Sequence, residues 1–132
     1  MSLPNASAQP QDRPPKKLKI LVADDEPVFL RAIQRVLERR GHEVLTASDA
    51  YSAVARLRAE PFDAVLVDHR MPGDGTRVLG HLEESDFDGV AILMTGGSAS
   101  DAENVAERVH RLQKPFSFRA VVPLLERSIG GA

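Results

Sequence analysis

Lys19-Ile20-Leu21-Val22-Ala23-Asp24-Asp25 is an apolar run that stops on a pair of carboxylates. A short apolar run bounded by polar residues reads as a strand buried on both faces, the habit of parallel sheets. Three further runs end in the same manner. Ala64-Val65-Leu66-Val67 stops on Asp68, and Val90-Ala91-Ile92-Leu93-Met94 stops on Thr95. Arg111-Leu112-Gln113 stops on Lys114, with Pro115 next. In an open parallel α/β sheet the carboxyl ends of the strands share one edge, and ligands bind there. Three carboxylates, one hydroxyl and one ammonium are therefore expected at a single rim. That set suits a divalent cation and a phosphoryl group.

Outward from these runs the chain alternates strand and helix from Leu18 onward. Strands are expected at about 18–24, 43–46, 63–68, 90–95 and 109–114. The first helix runs from Pro27, a favoured first-turn residue, to Arg40, with Gly41 as its stop. Its apolar stripe is Phe29, Ile33, Val36 and Leu37, at helical spacing. A second helix starts at Asp49, a good N-cap, and carries Ala50, Ala53, Val54 and Leu57 inward. Pro61 separates it from the third strand. A third helix spans about 76–84 with Val78, Leu79 and Leu82 inward. A fourth spans about 100–108 with a weak apolar face, and a fifth follows Ser117. Five βα units leave little slack for another fold, and their crossovers should be right-handed. Pro123 conflicts with the last helix, because an interior proline costs about 3 kcal/mol. The helix is expected either to kink there or to begin later.

The chain has 132 residues, the size of one domain. A hydrophobic fraction of 42% is enough for one core. The formal net charge of -2 gives no global basic field for nucleic acid or an anionic membrane. With no cysteine, disulfides and thiolate metal sites are excluded. No apolar stretch approaches the roughly 20 residues that span a bilayer, and no signal-peptide core is present. The expectation is a cytoplasmic protein. Residues 1–17 form a separate block in which Pro4, Pro10, Pro14 and Pro15 sit among small polar residues. Such a stretch cannot bury enough surface to offset its ordering entropy and reads as a disordered tail. Residues 18–132 form the domain. The histidines His42, His69, His81 and His110 show no metal-ligand spacing.

The order Asp24-Asp25-Glu26-Pro27, Asp68 with Met71-Pro72, Met94-Thr95-Gly96 and Lys114-Pro115-Phe116 resembles the receiver domain of bacterial two-component response regulators. The resemblance covers about 18–129. It implies a flavodoxin-like, doubly wound five-stranded parallel sheet of order 2-1-3-4-5 with five helices. It implies Asp68 as the acceptor of a phosphoryl group from a histidine kinase or phosphotransfer protein. A carboxylate can form such a covalent acyl phosphate. Mg²⁺ would be held by Asp24, Asp25, Asp68 and the backbone carbonyl of Arg70. It is a hard cation suited to oxygen ligands, and it offsets charge on the transferring group. Lys114 would pair with one phosphoryl oxygen and Thr95 would hydrogen-bond another. Gly96 would leave room for the group. The family's usual output surface is formed by the helix over 100–108, the fifth strand and the last helix. The implied role is signalling through protein partners, with no turnover of an external substrate.

The chain departs from the family pattern in two places. Family members usually carry Tyr or Phe three residues before the lysine, and here that position is Arg111. The loop Met71-Pro72-Gly73-Asp74-Gly75 is one residue shorter than the common form. Both departures favour an alternative, a pseudo-receiver that serves as a constitutive binding module. A receiver cut from a hybrid histidine kinase is another. A phosphatase of the haloacid dehalogenase type needs a second Asp two residues after the nucleophile. Here that place is Arg70, so this reading is the weakest.

Overall fold

The computed structural model describes residues 17–96 and 109–130. Within them the strands are β1 (Lys19–Ala23), β2 (Glu43–Ala47), β3 (Ala64–Asp68), β4 (Val90–Thr95) and β5 (His110–Gln113). The helices are α1 (Pro27–Arg39), α2 (Ala50–Ala59), α3 (Gly75–Glu84) and α4 (Phe118–Gly130). The strands are all parallel, in the order β2-β1-β3-β4-β5. The tail over 1–17, apart from Lys17, and the helix expected over 100–108 lie outside the described residues.

Successive side chains of a strand face opposite sides, so each central strand feeds two cores. On one side Ile20, Val22, Leu66, Ile92 and Met94 pack with Ile33 and Leu37 of α1 and Val121 and Leu125 of α4. On the other, Leu21, Ala23, Val65, Val67 and Leu93 pack with Ala53 of α2 and Val78 and Leu82 of α3. This is why β1, β3 and β4 read as unbroken apolar runs. Each fully buried Leu, Ile or Val contributes about 1.5–3 kcal/mol. Truncating one to Ala costs about 2–5 kcal/mol.

Local chemistry sets the element ends. Gly41 takes φ +95°, and its N–H donates to the Glu38 carbonyl at 3.0 Å. The His42 N–H reaches back to the Leu37 carbonyl at 3.2 Å. This paired closure satisfies the last carbonyls of α1 and needs a residue free to adopt positive φ. Asp49 caps α2 by accepting from the Ser52 N–H at 2.7 Å. The interior proline of α4 neither delays nor ends the helix, which starts at Phe118 and continues past Pro123. The partner that Pro123 cannot bond is the carbonyl of Arg119, four residues earlier. Arg119 itself is exposed.

The register positions the rim. Ala23 lies opposite Val67, Asp68 opposite Met94, and Thr95 opposite Gln113. The residues at or just after the four strand ends therefore stand side by side: Asp24, Asp68, Thr95 and Lys114.

Candidate functional site

Each site residue is fixed by its strand before its side chain makes a contact. Asp24 continues β1, with its N–H donating to the Ala47 carbonyl at 3.0 Å. Asp68 ends β3, and the next residue, His69, donates its N–H to the Met94 carbonyl at 2.8 Å. Lys114 donates its N–H to the Thr95 carbonyl at 2.7 Å. The Lys114–Pro115 peptide is cis.

The side chains then converge. Lys114 Nζ donates to Asp24 Oδ2 at 2.7 Å and lies 3.5 Å from Asp68 Oδ2. The other oxygen of Asp24 accepts from the Glu26 N–H at 2.9 Å. Asp68 Oδ1 accepts a long 3.4 Å bond from the Arg70 N–H. Asp24 is fully buried, Asp68 and Thr95 are 6% and 7% exposed, and Asp25 is exposed. One carboxylate oxygen from each of Asp24, Asp25 and Asp68 lies within 4.8 Å of the others. These are hard oxygen donors at a spacing that fits Mg²⁺, which prefers a few carboxylates and retained waters.

Burial pushes the Asp68 carboxyl above its ordinary value, and the charge of Asp24 adds to the rise. Lys114 and the Arg70 N–H offset this only in part. Burial acts to lower Lys114, but its hydrogen bond to Asp24 and the charges of Asp24 and Asp68 prevail and raise it. The lysine is thus a fixed cation at neutral pH. The cluster still carries more negative charge than it can neutralise.

The loop after β3 forms one wall. Asp74 takes φ 72° and caps α3, accepting from the Thr76 N–H at 2.9 Å and its hydroxyl at 2.8 Å. Those bonds hold the Asp74 carboxyl below its ordinary value. A Cβ on Gly75 would sit 2.1 Å from the Asp68 carbonyl oxygen, so only glycine lets α3 begin this close to the acceptor. The Ala50 N–H donates to the Pro72 carbonyl at 2.8 Å, tying the loop to α2. An open cleft of about 330 Å³ borders the rim, lined by Asp25, His69, Arg70, Met71, Pro72 and Asp74. Among the described residues, a Cβ on Gly96 would meet nothing within 4 Å.

Of the five residues expected at the rim, the side chains of Asp24, Asp25, Asp68 and Lys114 come together there, and Thr95 ends the adjacent strand. Arg111 is exposed on β5 opposite Leu93, in the place of the aromatic expected from the resemblance. Two features were not legible locally. Phe29 reads as one member of a core stripe, yet Lys114 Nζ sits 5.4 Å from the centre of its ring. His69 reads as a loop residue, yet its Nδ1 is buried with no hydrogen-bond partner among the described residues.

Residues 20–126 match the response regulator receiver domain family, and the chain belongs to it. This family is a signalling module. The chain is 33% identical over 118 residues to the response regulator receiver protein CpdR of Brucella abortus. That match covers 84% of this chain and 96% of CpdR. It is 32% identical over 114 residues to the sensor histidine kinase GacS of Pseudomonas protegens. There the match covers 84% of this chain but 12% of GacS, so the chain spans only a small part of that kinase. Among solved structures, a response regulator receiver protein from Sinorhizobium medicae superimposes with a TM-score of 0.79 at 26% identity. It covers 89% of this chain and 97% of that one. Among the described residues, no helix is long and apolar enough to cross a membrane.

Proposed function

We propose that Asp68 accepts a phosphoryl group from the phosphohistidine of a sensor kinase or phosphotransfer protein in the cytoplasm. The observation that carries this reading is the buried Asp68 carboxylate, 3.5 Å from Lys114 Nζ and within 4.8 Å of two further carboxylates. An oxygen of Asp68 attacks phosphorus, the phosphorus–nitrogen bond of the donor breaks with its electron pair passing to nitrogen, and the imidazole leaves neutral because the donor's other ring nitrogen carries a proton. Asp24, Asp25, Asp68 and the Arg70 backbone carbonyl would hold Mg²⁺. When bound, the ion neutralises charge on the transferring group. Lys114 pairs with a phosphoryl oxygen as a point charge. The Thr95 hydroxyl, at the end of the adjacent strand, donates to another. The modified state then alters contacts with a protein partner at the face that includes β5 and α4. The reaction is the chain's own modification and its reversal, not turnover of another substrate.

The match to GacS supports a second setting, in which such a domain relays the phosphoryl group onward within a phosphorelay. The test is intact-protein mass after incubation with acetyl phosphate and Mg²⁺, on wild type and Asp68→Ala in parallel. A Mg²⁺-dependent gain of one phosphoryl group, lost in Asp68→Ala, is expected. A wild type that gains none from acetyl phosphate or from a phosphorylated kinase supports the constitutive binding module instead.

A further inference from the structure

We propose that Phe29 is a positioning residue for Lys114, holding the ammonium at the rim by the face of its ring. The proposal rests on the phosphoacceptor reading for its functional consequence, but its geometry stands independently.

Lys114 carries its charge on a flexible four-carbon stem. Its backbone is fixed by the bond to Thr95, but among the described residues its head has three partners of two kinds. Two are carboxylates, Asp24 at 2.7 Å and Asp68 at 3.5 Å. These are also two of the three residues placed to hold a divalent cation. Once they are engaged with a cation, their pull on Lys114 weakens and a second positive charge repels it. The third partner is the Phe29 ring, 5.4 Å from Nζ to the ring centre, within the reach of a cation–π contact. The ring is neutral and ligates nothing, so its hold on the ammonium survives the change at the carboxylates.

The ring is itself held. Phe116, in the loop after β5, meets it edge-on with centroids 6.0 Å apart and planes at 87°. Phe118, the first residue of α4, packs against it at 6.1 Å. Its backbone belongs to α1, anchored by the buried Ile33 and Leu37. Two segments far apart in the chain, α1 and the stretch from Phe116 to Phe118, thus fix one aromatic face under the lysine. If Phe29 were only a piece of core, any apolar residue of similar size would serve there.

Phe29→Leu keeps the apolar packing and removes the ring, whereas Phe29→Tyr keeps the ring. The first readout is the NMR shift of the Lys114 side-chain protons, which needs no phosphoryl donor. An upfield ring shift is expected in wild type and Phe29→Tyr and should be absent from Phe29→Leu. The second is the initial rate of Mg²⁺-dependent phosphorylation by acetyl phosphate, at a temperature where all three proteins are folded. Phe29→Leu should be slower by about three- to fivefold, the size of one partly exposed cation–π contact. Phe29→Tyr should restore the wild-type rate. A wild type with no ring shift on Lys114 overturns the proposal. So does a Leu variant within threefold of wild type, or a Tyr variant as slow as Leu. A wild type that takes up no phosphoryl group from acetyl phosphate or from a phosphorylated kinase overturns the phosphoacceptor reading, and the ring shift then decides the positioning role by itself.

Discussion

Binding of Mg²⁺ is expected to raise the melting temperature, and Asp68→Asn to remove most of that gain. Three carboxylates meet one ammonium at the rim, which leaves two negative charges uncompensated. Asp24 is fully buried and Asp68 nearly so, which leaves water little access to screen them. A divalent cation that binds only the folded state stabilises it by RT ln(1 + [L]/Kd). At 10 to 100 times Kd this is about 1.4–2.7 kcal/mol, or about 5–13 °C for a domain of this size. Asp68→Asn removes one ligand and also the charge whose burial raises the Asp68 carboxyl. The variant should therefore melt above wild type without Mg²⁺ and gain far less when Mg²⁺ is added. The assay is thermal unfolding by circular dichroism across a Mg²⁺ titration, with matched ionic strength. Identical melting temperatures with and without Mg²⁺ would refute the reasoning, as would a full gain in Asp68→Asn.

Glu126 of α4 accepts from Arg40 Nε at 2.6 Å and Nη2 at 2.7 Å, and lies 2.6 Å from His42 Nε2. Removing it in Glu126→Ala takes this carboxylate from both Arg40 and His42 and should cost about 3 kcal/mol in urea denaturation at pH 7. Burial acts to raise the Glu126 carboxyl, but the bonds from Arg40 and His42 outweigh it and lower it. Its stabilising share is thus full above the ordinary value of 4.5 and is lost as pH falls through the lower folded value, so the gap to wild type should close in acid. Gly75→Ala places a Cβ against the Asp68 carbonyl, which should cost about 3 kcal/mol and slow phosphorylation by acetyl phosphate. Gly41→Ala meets no atom within 4 Å and should cost only about 1–2 kcal/mol for its positive φ, with an unchanged phosphorylation rate. Lys114→Met leaves Asp24 buried without its cation. It should lower stability in the absence of Mg²⁺, while enlarging the gain that Mg²⁺ brings in the same melting assay.

Over the described residues, the amino-acid sequence alone determined the alternation of strands and helices, their ends to within a residue or two, and the strand-end positions of Asp24, Asp68, Thr95 and Lys114. Those features depend on periodicity, caps and turns, whose physics reaches only a few residues along the chain. Lys19–Ala23 is apolar because both faces of β1 are buried, and Asp49 and Gly41 mark helix ends by bonds to near neighbours. The tertiary structure decided which partners the rim residues take. Lys114 finds Asp24 across 90 residues, and His42 finds Glu126 across 84. Phe29 meets Lys114 only because α1 packs beside the loop that follows β5. The need for glycine at position 75 comes from the carbonyl of Asp68 lying against it, a contact that no local pattern encodes. Such pairings are fixed by the order and register of the strands, which bring distant segments together only once the sheet has formed.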